Sequence, residues 1–230
     1  MCPLRSEDLN SWIFHSPVFE FDGSKPSIRQ HSAWKGHAKF AYDLVQFVKP
    51  KKIVELGTHF GFSFFCFCQS VKDHNLSCEC FAVDTWQGDL HSGLYSNEVF
   101  DTVHEIVQKH YQKEAKMLRK SFDDAIENFE DNTIDILHID GFHTFEAVLH
   151  DYTSWLPKVS QEGIVLIHDT EVRIQDFGVY KFWEGIKQQL PSFEFTHSHG
   201  LGVLFPKGCN EKFKGVISDL TNLQNHYSKE

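Results

Sequence analysis

From Trp34 onward the hydrophobic residues switch repeatedly between two periods. WKGHAKFAYDLVQFV, residues 34–48, sets Ala38, Tyr42, Val45 and Val48 at helical spacing, and Pro50 ends the segment. KIVELG, at 52–57, is a short apolar run closed by glycine, as a buried strand reads. FGFSFFCFCQSVKDH, at 60–74, returns to helical spacing with Phe60, Phe64 and Phe67 on one core-facing stripe. The same alternation predicts strands at CECFAVD (78–84), AKMLRK (115–120), TIDILHID (133–140) and GIVLIHD (163–169). It predicts helices at NEVFDTVHEIVQKHY (97–111), FDDAIENF (122–129, capped by Ser121), TFEAVLHDYTSWL (144–156) and GVYKFWEGIKQQL (178–190). Residues 85–96 read as a polar loop. SFEFTHS (192–198) and GLGVLFP (200–206) follow one another without a helix and predict an antiparallel hairpin.

Strands that alternate with helices are joined by crossovers into a parallel sheet, and the helices cover both faces. The expected fold is α/β: a seven-stranded, mostly parallel sheet with helices on both faces and a C-terminal antiparallel hairpin, in one domain over residues 34–230. Residues 1–33 fit no such unit. Their NSWIFHSPVFEF stretch is apolar enough to need burial, as an arm or lid over the functional site or against a second copy of the chain in a homodimer.

Composition changes this picture in few places. The formal charge is −10, and the basic run KPKK at 49–52 is too short to track phosphates, so no nucleic-acid partner is expected. No apolar run reaches the ~18 residues of a membrane span. The start, MCPLRSEDLN, lacks the apolar core of a secretory signal, and a cytoplasmic location is expected. Cys66/Cys68 and Cys78/Cys80 form C-x-C pairs, unlike the C-x₂-C of zinc sites, and read as reduced structural thiols. Phe supplies 22 residues against 6 Tyr and 5 Trp, so the core is expected to be Phe-rich.

Ligands of a parallel sheet bind beyond the carboxyl ends of its strands, and there the sequence sets Glu55–Gly57, Asp84, Asp140 and Asp169. VELGTHFGFS turns on Gly57 and Gly61, a G-x-x-x-G spacing, and His59 stands where a second glycine would admit a pyrophosphate. A nicotinamide dinucleotide is therefore disfavoured. Glu55 would repel a phosphate but suit an ammonium group, and Asp84 can accept from ribose hydroxyls or cap the segment after it. An ammonium end, a ribose and no phosphate describe S-adenosylmethionine.

VELGTHFGFS, AVDTW, HIDGFHTFE and IVLIHDT, in this order and spacing, resemble the motifs of class I S-adenosylmethionine-dependent methyltransferases over residues 34–206. That family has a Rossmann-like fold, and the chain is most similar to its catechol-type and macrocin-type O-methyltransferase group. VDTWQGDLHSGLYSNEVF is also similar to members associated with glycan assembly. The resemblance implies that Glu55 reaches the methionine amine through the turn, and that Gly57, Thr58, His59 and Gly61 line the cofactor. Ser63 would meet its carboxylate at a helix N-terminus. Asp84 would hold the ribose, Trp86 would lie against the adenine and Ser121 would contact the adenine edge. His59 departs from the glycine or aromatic residue of relatives.

Methyl transfer needs an acceptor oxygen aligned at about 3 Å and made nucleophilic by a base or a cation. By the same resemblance, Asp140 faces the reactive end of the cofactor and joins Asp169 in binding Mg²⁺ or another divalent metal. His143 would take the proton where the catechol type has lysine. The catechol type carries a third ligand where this chain has Thr170, whereas macrocin-like relatives point to His168, which suits manganese, iron or zinc better than magnesium. Each residue has a structural alternative, since Asp140 and Asp169 can cap the next elements and His143 can be a helix N-cap. His138 reads as a hydrogen-bonded core histidine. His91 reads as a solvated loop residue within reach of substrate, and His197 and His199 as residues of the hairpin turn.

The expected function is O-methyl transfer to a hydroxyl of a sugar, glycan or natural-product small molecule. Two rivals stay open: a related enzyme of the cephalosporin-hydroxylase-like kind, and a non-catalytic S-adenosylmethionine-binding scaffold subunit.

Overall fold

The computed structural model describes residues 12–23, 32–209 and 211–228. Its strands are β1 Lys52–Leu56, β2 Glu79–Asp84, β3 Gly88–Asp89, β4 Gly93–Leu94, β5 Ala115–Arg119, β6 Ile134–Ile139, β7 Val159–His168, β8 Ser192–Phe195 and β9 Leu201–Leu204. Seven of them form one sheet in the order β5-β2-β1-β6-β7-β9-β8. The pairs from β5 to β7 are parallel, and β9 runs antiparallel to both β7 and β8. This is the Rossmann-like arrangement that the alternation predicts, with its terminal hairpin in place. Two details differ from expectation. The loop after β2 folds into a two-stranded ribbon, β3–β4, and β7 begins at Val159, which pairs with Ile134 across a register shift.

Helices α1 (Ala38–Val48), α2 (Phe62–Asp73), α3 (Asn97–His110), α4 (Phe122–Ala125), α5 (Phe145–Trp155), α6 (Val179–Ile186), α7 (Glu211–Ser218) and α8 (Leu220–Tyr227) cover the sheet. Because strand side chains alternate, the sheet supplies two cores. Ile53, Cys80, Ala82, Ile136 and Leu166 face α1, α2, α3, α7 and α8, with the buried Cys66, Cys68 and Cys78 packed there as small hydrophobes. Val54, Leu56, Leu137, Ile139, Val165 and Ile167 face α4, α5 and α6. Residues 12–23 close the first core from outside. Trp12 stacks on Phe40 at 5.7 Å and donates from Nε1 to Tyr227 Oη at 2.8 Å, and Phe21 is buried against Phe62 and Phe65. This part of the expected arm completes the core; residues 1–11 and 24–31 lie outside the described residues.

The chain builds β1, β2 and β5 toward one edge, then returns to β6 on the other side of β1. The reversal opens a crevice at the carboxyl ends of β1 and β6. There Asp140 N donates to Leu56 O at 2.9 Å and Gly57 N to Val83 O at 3.0 Å. Gly57 has φ 89°, and a Cβ on it would stand 2.0 Å from Asp140 O, so both its conformation and its neighbour require glycine.

One buried acid makes stability depend on pH. Asp151 on α5 is 7% exposed, and burial, opposed by His150 and assisted by Asp123, pushes its carboxyl up to about 7. The fold prefers the protonated form, so this group's contribution is complete below about pH 3.9 and is lost as pH rises through 7. Asp151→Asn should match the wild type near pH 4 and exceed it above pH 7 by on the order of 2–4 kcal/mol. Calorimetric unfolding across this range checks the trend, and a pH-independent difference would refute it.

Candidate functional site

A cleft of about 610 Å³ opens at the crevice, within the usual size of a small-molecule site. The β1–α2 turn supplies Gly57, Thr58, His59 and Phe60; the strand ends and their loops supply Asp84, Ser121, Phe122, Asp140, His143, His168 and Asp169. Trp34, Tyr95, His91, Phe142, Phe177 and His199 complete the wall. The rim is strained. His59 (φ 49°), Asp169 (φ 62°) and His199 (φ 68°) all take left-handed backbone, which for a residue other than glycine costs about 1–3 kcal/mol each.

On the cofactor side, Asp84 is the organiser. Its Oδ2 accepts from Thr58 N and His59 N, both at 2.9 Å, and its Oδ1 from Trp86 N at 2.6 Å. A carboxylate offers roughly four lone pairs, so about one remains for a ribose hydroxyl. Ser63 lies in the first turn of α2, whose N-cap Gly61 makes no side-chain cap, so the first-turn amides lack that partner, and Phe62 and Ser63 line the cleft. Thr58 Oγ1 is buried and without a partner, which suits a ligand group at the turn. Ser121 lines the cleft while its hydroxyl accepts from Asp124 N at 3.1 Å.

Two expected cofactor contacts sit elsewhere. Glu55 is fully buried beneath the turn, with Oε2 2.9 Å from His138 Nδ1, and it interacts with the cleft-wall residue Ser63. Burial pushes its carboxyl up, and the His138 contact opposes that. His138 is thus the hydrogen-bonded core histidine expected. Trp86 is 1% exposed; positive φ turns its indole under the loop, where Nε1 donates to His59 O at 2.9 Å and the ring meets Phe100. It braces the turn, and the aromatic walls there are Phe122 and Tyr95, the latter stacked on His59 at 4.7 Å.

Across the crevice, Asp140, His143 and Asp169 each offer one ligand atom, and these atoms lie within 4.8 Å of one another. His143 Nε2 is 3.0 Å from Asp169 Oδ2, and His199 Nδ1 is 3.1 Å from Asp169 Oδ1. His168 Nδ1 is 3.2 Å from Asp140 Oδ1 and 3.4 Å from Asp169 Oδ2. The Ser198 carbonyl, 3.1 Å from His168 Nε2, accepts a hydrogen there and leaves Nδ1 turned to the two acids. Burial alone would raise the Asp169 carboxyl, but His168, His143 and His199 hold it well below the usual range. Burial would likewise lower His168 and His143, yet the two acids outweigh it and raise both. The imidazoles supply the positive charge this pair of carboxylates demands, and a divalent cation fits the same oxygen-and-nitrogen donor set.

Asp140, Asp169, His143 and His168 therefore meet as the sequence suggested. His197 does not join them: its Nε2 is 3.0 Å from Gly36 O. Sequence reasoning missed Asp176, Phe142 and Phe177, and it placed His91 in solvent, whereas the His91 side chain is 5% exposed. No local signal marks these residues, which arrive from loops far apart in the chain. Removing the organiser should be measurable: Asp84→Ala loses three backbone hydrogen bonds and should lower stability by about 2–4 kcal/mol. Urea unfolding tests this, and unchanged stability would mean that the turn holds itself.

The family model described as a methyltransferase domain matches residues 54–170. Uncharacterized protein y4gI of Sinorhizobium fredii is 48% identical over 175 residues, which is 76% of this chain and 19% of that protein. The chain thus spans about a fifth of the length of the curated relative it matches. Among solved structures, the S-adenosylhomocysteine-bound methyltransferase PaMTH1 of Podospora anserina is similar over 83% of this chain and 97% of its own, with 14% identity and a TM-score of 0.57. A methyltransferase of Geobacter sulfurreducens covers 84% and 92%, with 10% identity and a TM-score of 0.61. A Staphylococcus aureus protein provisionally assigned as a caffeoyl-CoA O-methyltransferase covers 82% and 92%, with 13% identity and a TM-score of 0.62. At these identities the structural likeness speaks for the fold. Among the described residues, no helix is long and apolar enough to cross a membrane.

Proposed function

The chain belongs to the methyltransferase-domain family of class I S-adenosylmethionine-dependent enzymes, and from that premise we propose that it methylates a hydroxyl oxygen of a small acceptor. The observation that carries this reading is the Asp140–His143–Asp169 triangle, set across the crevice from the Asp84-organised turn. When bound, S-adenosylmethionine supplies an electrophilic methyl group on a sulfonium. Thr58 Oγ1, the last lone pair of Asp84 and the first-turn amides of α2 bind and orient it. The acceptor hydroxyl enters from the open cleft beside the Asp140–His143–Asp169 triangle, and His143 Nε2, in its neutral form, takes its proton. Asp140 and Asp169, with His168 Nδ1 in reach of both, would hold a divalent cation that lowers the hydroxyl's pKa. The polar and aromatic wall of His91, Phe142 and Phe177 supports a sugar, glycan or natural-product acceptor, since such molecules present both hydroxyls and an apolar face. Fold alone does not choose among these.

Calorimetric titration with S-adenosylhomocysteine tests the cofactor half. Wild-type protein should bind it, Thr58→Val should weaken binding about tenfold through one lost hydrogen bond, and Asp84→Ala should abolish it. No binding by the wild type would sink the proposal. For the acceptor half, His143→Ala should lower turnover by about 10²-fold or more while leaving Mn²⁺ affinity intact. Lost Mn²⁺ affinity in that variant would make His143 a ligand and not the base.

A further inference from the structure

His143 has two ring nitrogens, and Nε2 is the one facing the acids, 3.0 Å from Asp169 Oδ2. Nδ1 points away and stands 3.2 Å from His91 Nδ1, while His91 Nε2 stands 2.7 Å from Asp176 Oδ1. The two imidazoles meet edge to edge: their centroids are 5.4 Å apart and their planes 30° apart, too far for a face stack and right for an N–H···N bond. Phe177 keeps them aligned. Its ring lies against His143 at 4.6 Å and 8°, and against His91 at 4.6 Å and 23°. Phe142 meets His91 at 4.4 Å.

The backbone around this group is fixed too. Asp89 Oδ1 accepts from His91 N at 2.7 Å and from Ser92 N at 2.8 Å, which shapes the tip of the β3–β4 ribbon. Gly178 N donates to His143 O at 2.8 Å, and a Cβ at 178 would stand 2.4 Å from Phe145 N, so the 170–178 loop docks directly on the His143 backbone.

Proton positions follow from these partners. Asp176 is an exposed carboxylate and only accepts, so His91 Nε2 carries a hydrogen. Neutral His91 then has its lone pair on Nδ1, and the 3.2 Å contact is a hydrogen bond when His143 Nδ1 is the donor. Nε2 of His143 faces Asp169 Oδ2 at 3.0 Å, so in the charged ring it donates a hydrogen to that carboxylate, and in the neutral ring, with Nδ1 still protonated, it is the nitrogen that holds the lone pair. We propose that His91 and Asp176 form a positioning dyad that keeps a hydrogen on His143 Nδ1, so that Nε2 is the nitrogen that gives up its hydrogen and, once neutral, takes the proton of the acceptor hydroxyl. The role of the dyad rests on His143 being the proton acceptor; its geometry does not. The ribbon and the 170–178 loop supply one residue each, so the base is correctly aimed only when both are docked.

Nuclear magnetic resonance of the full chain with ¹⁵N-labelled histidine tests the dyad without turnover. The expected spectrum shows His91 with a bare Nδ1 and protonated Nε2, and a ¹⁵N–¹⁵N coupling between the two Nδ1 atoms. A protonated His91 Nδ1, or no coupling, overturns the proposal. Asp176→Ala should remove the coupling. His91→Phe keeps a ring on Phe177 but offers no acceptor, and kcat should fall about 10–100-fold with S-adenosylhomocysteine affinity unchanged. His91→Asn, whose amide oxygen can accept from His143 Nδ1, should recover much of that loss; equal losses in the two variants would reduce His91 to packing and refute the dyad. An intact coupling in a protein that binds no S-adenosylhomocysteine would uphold the dyad while removing the methyltransferase reading.

Discussion

The contact between Gly57 and the Asp140 carbonyl is the constraint from which the rest of the site is built. β1 and β6 are adjacent parallel strands, and the turns that leave them cross where a Cβ on Gly57 would stand 2.0 Å from Asp140 O. The missing side chain lets the β1–α2 turn and the β6–α5 turn share one junction, further tied by the Asp140 N to Leu56 O bond. Thr58 and Asp140 are thereby placed by the same few backbone atoms. Near-attack alignment of a methyl group requires that two such turns keep a fixed spacing, and this shared junction supplies one.

Charge is the second constraint. The cleft concentrates Asp140 and Asp169 against His143, His168 and His199, and the sheet beneath adds the buried Glu55–His138 pair. Glu55 Oε1 and His138 Nε2 have no protein partner. A buried polar atom left alone costs on the order of 1–3 kcal/mol, so this inner pair is held by the fold at some expense. Its position under Ser63 ties it to the N-terminus of α2, which explains how an acid that never touches the cleft still shapes the cofactor side. The positive φ of Asp169 belongs to the same economy of placement: the chain bends sharply at the end of β7 to turn that carboxylate toward three imidazoles.

The sheet was legible because period-2 and period-3.6 segments alternate cleanly, and because β1, β2, β6 and β7 each end in glycine or an acid. Which of those ends face the cleft was less legible. Glu55 lies two residues before Gly57, and the strand's alternation turns it down into the core beside His138, out of reach of pattern reading alone. Trp86 was misplaced because its backbone takes φ 53°, which a side-chain pattern does not encode. The β3–β4 ribbon is short and polar, and α7 and α8 bury only Phe213, Val216, Leu223 and Tyr227, too sparse a stripe to announce two helices. His91 and Asp176 were invisible for a simpler reason: their partners lie 52 and 85 residues away from His91 in sequence, and no local period records such a contact.

The two halves of the cleft therefore differ in how they are specified. The half around Asp84 comes mainly from one continuous βαβ stretch, where Gly57, Thr58 and Asp84 are fixed by strand pairing and local hydrogen bonds, with Tyr95, Ser121 and Phe122 added from later in the chain. The other half is assembled from the β3–β4 ribbon, the β6–α5 turn, the 170–178 loop and the hairpin turn, each reaching in from a different part of the chain. Loops of this kind can change length and side chains without disturbing the sheet that carries them. The stretch shared with the methyltransferase-domain family ends at Thr170, before Asp176, Phe177 and His199. On the proposed reading, the family match covers the methyl-donor turn and reaches His91, Phe142 and His143, while the loop that carries Asp176 and Phe177 lies beyond it. On the same reading, the choice of acceptor is written mainly in the wall that these two parts build together, whose loops must dock on His143 before its Nε2 is aimed.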